Sequence, residues 1–181
     1  MKKFLLFLSA LTMAIGLTAC SSNDDAKTDK KDTPKETAKE TEAPKVDVKK
    51  ELVKFYMELG NKINAKDADL NAYEKKASKE DAKPEDLPTA EEKAAASESA
   101  AAVASELNAV QIPADLKDQQ ADLEAAVKEY AASYQTKADE LKKDTPNFEA
   151  ADTTFAQAEE KLGKVFERAK LLPPSLGKQV N

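Results

Sequence analysis

The sequence predicts an all-α fold: an up-and-down bundle of four antiparallel helices behind an unstructured linker. Three observations carry this. From Val46 onward apolar residues recur at steps of three, four or seven. The composition is dominated by Ala, Glu and Lys, the usage of helical proteins. Prolines fall where the apolar stripes stop, which leaves short connections of the kind that join antiparallel neighbours. No alternating β pattern interrupts the reading. A domain spanning 46–172 is long enough to enclose its own core. The alternative is a three-helix bundle with an Ala-rich helix lying loosely outside.

Val48, Leu52, Phe55, Tyr56, Leu59, Ile63, Leu70, Tyr73 and Ala77 form one face. The step from Ile63 to Leu70 keeps phase across Asp67 and Asp69, so the first helix is expected to run from about 47 to 79, strained near its middle. Pro84 and Pro88 mark a connection. Thr89-Ala-Glu-Glu92 then has the spacing of a capping box, opening a helix to Val110 in which Ala predominates. With so little side-chain volume that helix should lie close to a neighbour. Beyond Pro113, Leu116, Leu123, Val127, Tyr130, Tyr134, Ala138 and Leu141 form a third stripe, to about Lys143. Beyond Pro146, a fourth runs from Phe148 to Ala169 and stops before Pro173-Pro174. Gly60 and Gly163 lie inside helices, at about 1 kcal/mol each relative to Ala, and are candidates for close crossings. Residues 173–181 read as a loose tail.

The N-terminus reads as an address. Lys2 and Lys3 precede an almost wholly apolar run, Phe4 to Leu17. This is the layout of a secretory signal peptide, and the run is shorter than the roughly 20 residues that cross a bilayer. It ends in Leu17-Thr18-Ala19-Cys20. The bulky Leu17 disfavours an ordinary Ala-x-Ala cut after Ala19. The string resembles the lipobox of bacterial lipoproteins. That resemblance covers residues 1–20 and implies that Cys20 receives a diacylglyceryl group and becomes the mature N-terminus. Further acylation, such as palmitate, would suit a stable anchor, because one chain binds marginally and two hold, at about 0.8 kcal/mol per buried methylene. In composition the remainder resembles the small Lys-rich lipoproteins of Gram-positive bacteria. Residues 20–45 carry Asp, Lys, Thr, Glu, Ser, Pro34 and Pro44 and no large apolar side chain, so they are expected to stay unfolded. As a flexible coil they would span roughly 30 Å and lift the domain off the headgroups.

Charge and residue usage then exclude function classes. The chain has 28 Lys+Arg against 34 Asp+Glu. Without Lys2 and Lys3 the mature balance is 26 against 34, net −8, which suits neither nucleic acid nor broad adhesion to anionic lipid. There is no His and no Trp, and Cys20 is the only cysteine. A Ser-His-Asp site, a Cys-His site and a His-ligated metal are therefore excluded, and no disulfide can form within the chain. Asp67-Ala-Asp69-Leu-Asn71 begins like an EF-hand loop, but Ala72 stands where Gly is needed and Ser78 where the bidentate Glu belongs. Glu91/Glu92, Asp115/Asp118/Asp122 and Glu159/Glu160 read as a solvent face, with partners such as Lys128 for Glu124. No phosphate-binding or nucleophile-elbow string is present.

The lipobox resemblance implies a lipid-anchored, extracytoplasmic domain, and no cofactor, metal or enzymatic role is expected of it. It is expected to bind a protein, a wall polymer or a small ligand, with an envelope scaffold as the alternative and a carboxylate-based hydrolase behind both. Tyr56, Tyr130 and Tyr134, each apolar in body and polar at the tip, are the candidate lining of a binding cleft between helices.

Overall fold

A computed structural model describes residues 47–81 and 83–180. Among these residues there are five α-helices and no strand. Helix α1 spans Val48–Asn64 and α2 spans Ala68–Ala77. Helix α3 spans Ala90–Asn108, α4 spans Gln120–Glu140 and α5 spans Glu149–Arg168. Short 3-10 turns lie at Pro84–Asp86 and Ala114–Leu116. None of the described helices is long and apolar enough to cross a membrane. The signal segment, Cys20 and the spacer lie outside the described residues.

The first helix is not continuous. The Asp47 carboxylate starts α1 by accepting from the backbone N–H of Lys49 at 3.2 Å, and Leu52, Phe55, Leu59 and Ile63 are buried along it. The helical ladder breaks at 65–67, where the N–H groups of Lys66 and Asp67 both return to the Ile63 carbonyl. In an unbroken helix Leu70 N–H would donate to Lys66 C=O. Instead the Ser99 hydroxyl of α3 lies between them: it donates to Lys66 O at 2.6 Å and accepts from Leu70 N at 3.4 Å. A side chain inserted into the ladder is a standard cause of a helix break. It also explains why the apolar phase survives, since Leu70 and Tyr73 remain buried on α2.

Helix α3 opens on the capping box read from the sequence. Thr89 Oγ1 accepts from Glu92 N–H at 3.2 Å, and Glu92 Oε2 accepts from Thr89 N–H at 3.0 Å. This helix is not loosely outside. It packs on α1, α2 and α4, with Ala96, Ala100, Val103, Ala104 and Leu107 buried. That overturns the three-helix alternative. The physical reason is the one the composition suggested: alanines let a neighbouring backbone approach closely. Helix α4 continues the seam with Ala126, Ala131 and Ala138 against α3 and α5, and α5 adds Ala151 and Ala158. Buried serines tie the layers. Ser97 Oγ donates to Ala138 O at 2.7 Å, and Ser133 Oγ donates to Ala151 O at 2.8 Å. Helix α4 starts at Gln120, four residues after the apolar stripe does. Leu116 belongs to the preceding 3-10 turn, where it is fully buried beside α1.

The C-terminal segment is docked, contrary to the loose tail expected of 173–181. Helix α5 ends in a Schellman arrangement, with Lys170 N–H bonded to Glu167 O at 2.8 Å and Leu171 N–H to Phe166 O at 2.9 Å. Lys170 takes the left-handed conformation there, φ 58°, and turns the chain back. Leu176 and Val180 are then buried in the core cluster. Two apolar residues four apart in a short Pro-preceded segment give too little periodicity to read, so the docking could not be seen in the sequence.

Candidate functional site

A cleft of about 930 Å³ opens between α2, the C-terminal half of α4, the first half of α5 and the C-terminal segment. Its aromatic lining comes from Tyr73, Tyr134, Phe148 and Phe155. The helices set these positions. Tyr73 follows Leu70 on the buried face of α2, Tyr134 follows Tyr130 by one turn on α4, and Phe155 extends from α5 across both α4 tyrosines. The Phe155 ring stands edge-on to Tyr130 at 4.9 Å and to Tyr134 at 6.2 Å between centroids. Such arrangements contribute roughly 0.5–1.5 kcal/mol beyond burial, so the aromatic wall is preorganised.

Lys137 is the polar focus of the cleft. One turn beyond Tyr134, its side chain is only 15% exposed. Its ammonium lies 2.7 Å from Glu74 Oε1 and 3.4 Å from Asp152 Oδ1, and 5.6 Å from the centre of the Phe148 ring. The cation is thus held by α2 and α5 together, above an aromatic face. Burial pushes the phenols of Tyr73 and Tyr134 up, and the neighbouring Glu74 charge adds to both. Both therefore remain neutral donors at physiological pH. The site offers flat apolar walls, the partly shielded Lys137 ammonium with Lys75 beside it, the three carboxylates of Glu74, Asp152 and Glu159, and neutral phenols. That is a recognition surface for an amphipathic molecule.

The three tyrosines expected to share a cleft do not share one. Only Tyr134 lines it. Tyr130 is fully buried, with its hydroxyl unpartnered and its phenol pushed up chiefly by burial. Tyr56 donates to Ser175 O at 2.9 Å and packs edge-on to Phe166 at 6.0 Å. Helical spacing put Tyr130 and Tyr134 on one stripe but could not say that Phe155 would close over the first and leave the second at the rim. Sequence reading missed Tyr73, Lys137, Phe148 and Phe155 as lining. The available signal was Lys137 itself, a charge one turn along the stripe from Tyr134 and next to buried Ala138.

The acidic groups singled out in the sequence are dispersed. Glu92 caps α3 and pairs with Lys76. Asp122 pairs with Arg168, and Glu160 with Lys164. Glu124 accepts from Gln120 Nε2 at 2.7 Å. Residues 68–77 of the EF-hand-like string are helical. Asp67, the residue before α2, is only 3% exposed, with Oδ2 unpartnered. Its carboxyl is raised chiefly by burial, against the lowering effect of a hydrogen bond with Asn71. Glu159 accepts from Gly177 N–H at 2.9 Å.

No protein-family model, curated protein or solved structure matches this chain.

Proposed function

We propose that this chain is a membrane-anchored, extracytoplasmic lipoprotein whose helical domain is a non-enzymatic binding module. The address rests on Leu17-Thr18-Ala19-Cys20 behind a signal-like segment. Cys20 would carry the lipid, residues 20–45 would act as the spacer and residues 46–172 as the bundle. In that bundle α1 and α2 count as one interrupted arm. The fold is then an up-and-down antiparallel four-helix arrangement, supported by the packing of α3 on α4 and of α4 on α5.

The observation that carries the binding role is the cleft. It has the size of a small-molecule site, about 930 Å³. Its fitting ligand has a flat apolar body to lie on Phe148 and Phe155, and polar groups for Lys137 and Glu74. A small organic molecule or the end of a wall polymer satisfies this. The scaffold alternative is less favoured, because the exposed large apolar residues Val53, Met57, Leu87 and Leu172 are scattered or at most paired, and single exposed apolar side chains are ordinary.

A thermal-shift screen of small amphipathic molecules and solubilised wall fragments tests the reading. A ligand that raises Tm for the native chain, and not for Lys137→Met or Phe148→Ala, supports it. A screen in which nothing stabilises the chain, together with pull-downs that recover no partner, contradicts it.

A further inference from the structure

The C-terminal segment is held the way a bound peptide is held. Four side chains of the helices engage backbone atoms of the segment, and Glu159 also accepts from the Ser175 hydroxyl at 3.4 Å. Tyr56 Oη donates to Ser175 O at 2.9 Å, Asn64 Nδ2 to Gln179 O at 3.3 Å and Asn71 Nδ2 to Val180 O at 3.1 Å. Glu159 Oε1 accepts from Gly177 N–H at 2.9 Å. These contacts come from α1, α2 and α5 and run along the segment in order. The segment itself makes a single turn, with Gln179 and Val180 N–H both bonded to Leu176 O. That turn places Leu176 and Val180 on one face, and both are buried. Between them the Gln179 side chain lies across α1 at Gly60, where a Cβ would overlap its amide. The bare helix backbone at Gly60 is thus part of the seat. Backbone contacts that grip and paired apolar pockets that select are the elements of peptide recognition in a groove.

The link to the rest of the chain is short and exposed. After the left-handed Lys170, Leu172 is 89% exposed and Pro173-Pro174 leads into the segment. A terminal element joined by such a hinge can be exchanged between identical chains at low cost.

We propose that the face formed by α1, α2 and α5 is a peptide-binding groove, filled in cis by residues 175–180 and able to take the same segment from a second copy of this chain. Exchange would join two copies while preserving every contact of the closed form. The inference does not depend on lipidation of Cys20 or on a ligand in the aromatic cleft.

The test uses the full chain with Leu176→Asp, which removes the apolar anchor from the cis segment and leaves the groove intact. The probe is a fluorescent peptide of residues 172–181. In the native chain the cis segment competes at an effective concentration on the order of millimolar, so peptide at about 100 μM shows little binding. The Leu176→Asp chain should keep its helical circular dichroism and cooperative melt and bind the peptide saturably. A peptide that itself carries Leu176→Asp should not bind. Adding Tyr56→Phe to the chain should weaken binding about fivefold, the loss of one hydrogen bond. The proposal is overturned if Leu176→Asp abolishes the cooperative fold, since the segment is then inseparable core. It is equally overturned if the folded variant ignores the native peptide, or binds both peptides alike.

Discussion

The α3–α4–α5 layers and the α1–α2 arm bury comparable apolar stripes, yet they are built by different means. The layers bury large residues such as Leu107, Tyr130, Leu162 and Phe166, but intersperse them with small ones: Ala96, Ala100 and Ala104 on α3, Ala126, Ala131 and Ala138 on α4, Ala151 and Ala158 on α5. Ser97 and Ser133 add cross-ties from one helix to carbonyls of the next. In the arm the contact residues are large: Leu52, Phe55, Leu59, Ile63, Leu70 and Tyr73. The arm is broken, it needs Ser99 from α3 to bridge the break, and it takes part of its cover from the C-terminal segment. The difference shows where recognition can be built. The aromatic cleft lies where the two regions meet, with α2 of the arm on one side and α4 and α5 of the layers on the other.

The largest effects should separate the two regions by sign of volume change. Leu59→Ala in the arm opens a cavity and should cost about 2–5 kcal/mol. Ala100→Leu in the seam has nowhere to put the added atoms and should cost about 1–3 kcal/mol. Urea unfolding of both checks this. A seam that accepts leucine without loss would show that the small residues are incidental.

The serines sharpen the comparison. Ser99→Ala removes the hydroxyl that serves both the part-buried Lys66 O and the buried Leu70 N–H, and should cost about 1–3 kcal/mol. Ser133→Ala should cost only about 0.5–1 kcal/mol, because the Ala151 carbonyl lies within α5 and keeps its helical partner. Equal losses on urea titration would remove the distinction between a bridge and a cross-tie.

Asp67, at the same break, gives a pH signature. Burial raises its carboxyl, so the folded state favours the protonated form. The resulting penalty is absent below the unfolded value, appears as pH rises through it and is complete above the folded value. Asp67→Asn should therefore raise Tm at pH 7, with the gain vanishing below about pH 4. A gain that persists unchanged at acid pH would assign the effect to something other than ionisation. An effect as small as that of Ser133→Ala, and opposite in sign, lies at the end of α5. Lys170→Gly relieves a left-handed lysine and should stabilise by about 0.5–1 kcal/mol.

The same contrast governs what could be read from the chain. Helix existence and the Thr89 capping box follow from local pattern, and Ala-rich α3 could be assigned close packing from side-chain volume alone. The break at 65–67 was hidden because its cause, Ser99, lies 33 residues from Lys66 and the apolar phase passes through undisturbed. The docked C-terminal segment was hidden because several of its contacts are made to backbone atoms and its two buried apolar residues, Leu176 and Val180, are too few to show a period. The cleft was half legible. Tyr134 is there, but Tyr130 and Tyr56 are not, since which aromatic is covered depends on Phe155 and Phe166 arriving from another helix.

The central claim is that the helical domain works at a membrane, held by Cys20. Expression of the full chain beside Cys20→Ala in a bacterium that processes lipoproteins, followed by membrane fractionation, tests it most directly. The account predicts that the native chain sediments with membranes and leaves them only with detergent, while Cys20→Ala appears in the soluble or secreted fraction with its helical domain intact. A Cys20→Ala chain that remains fully membrane-bound would contradict it.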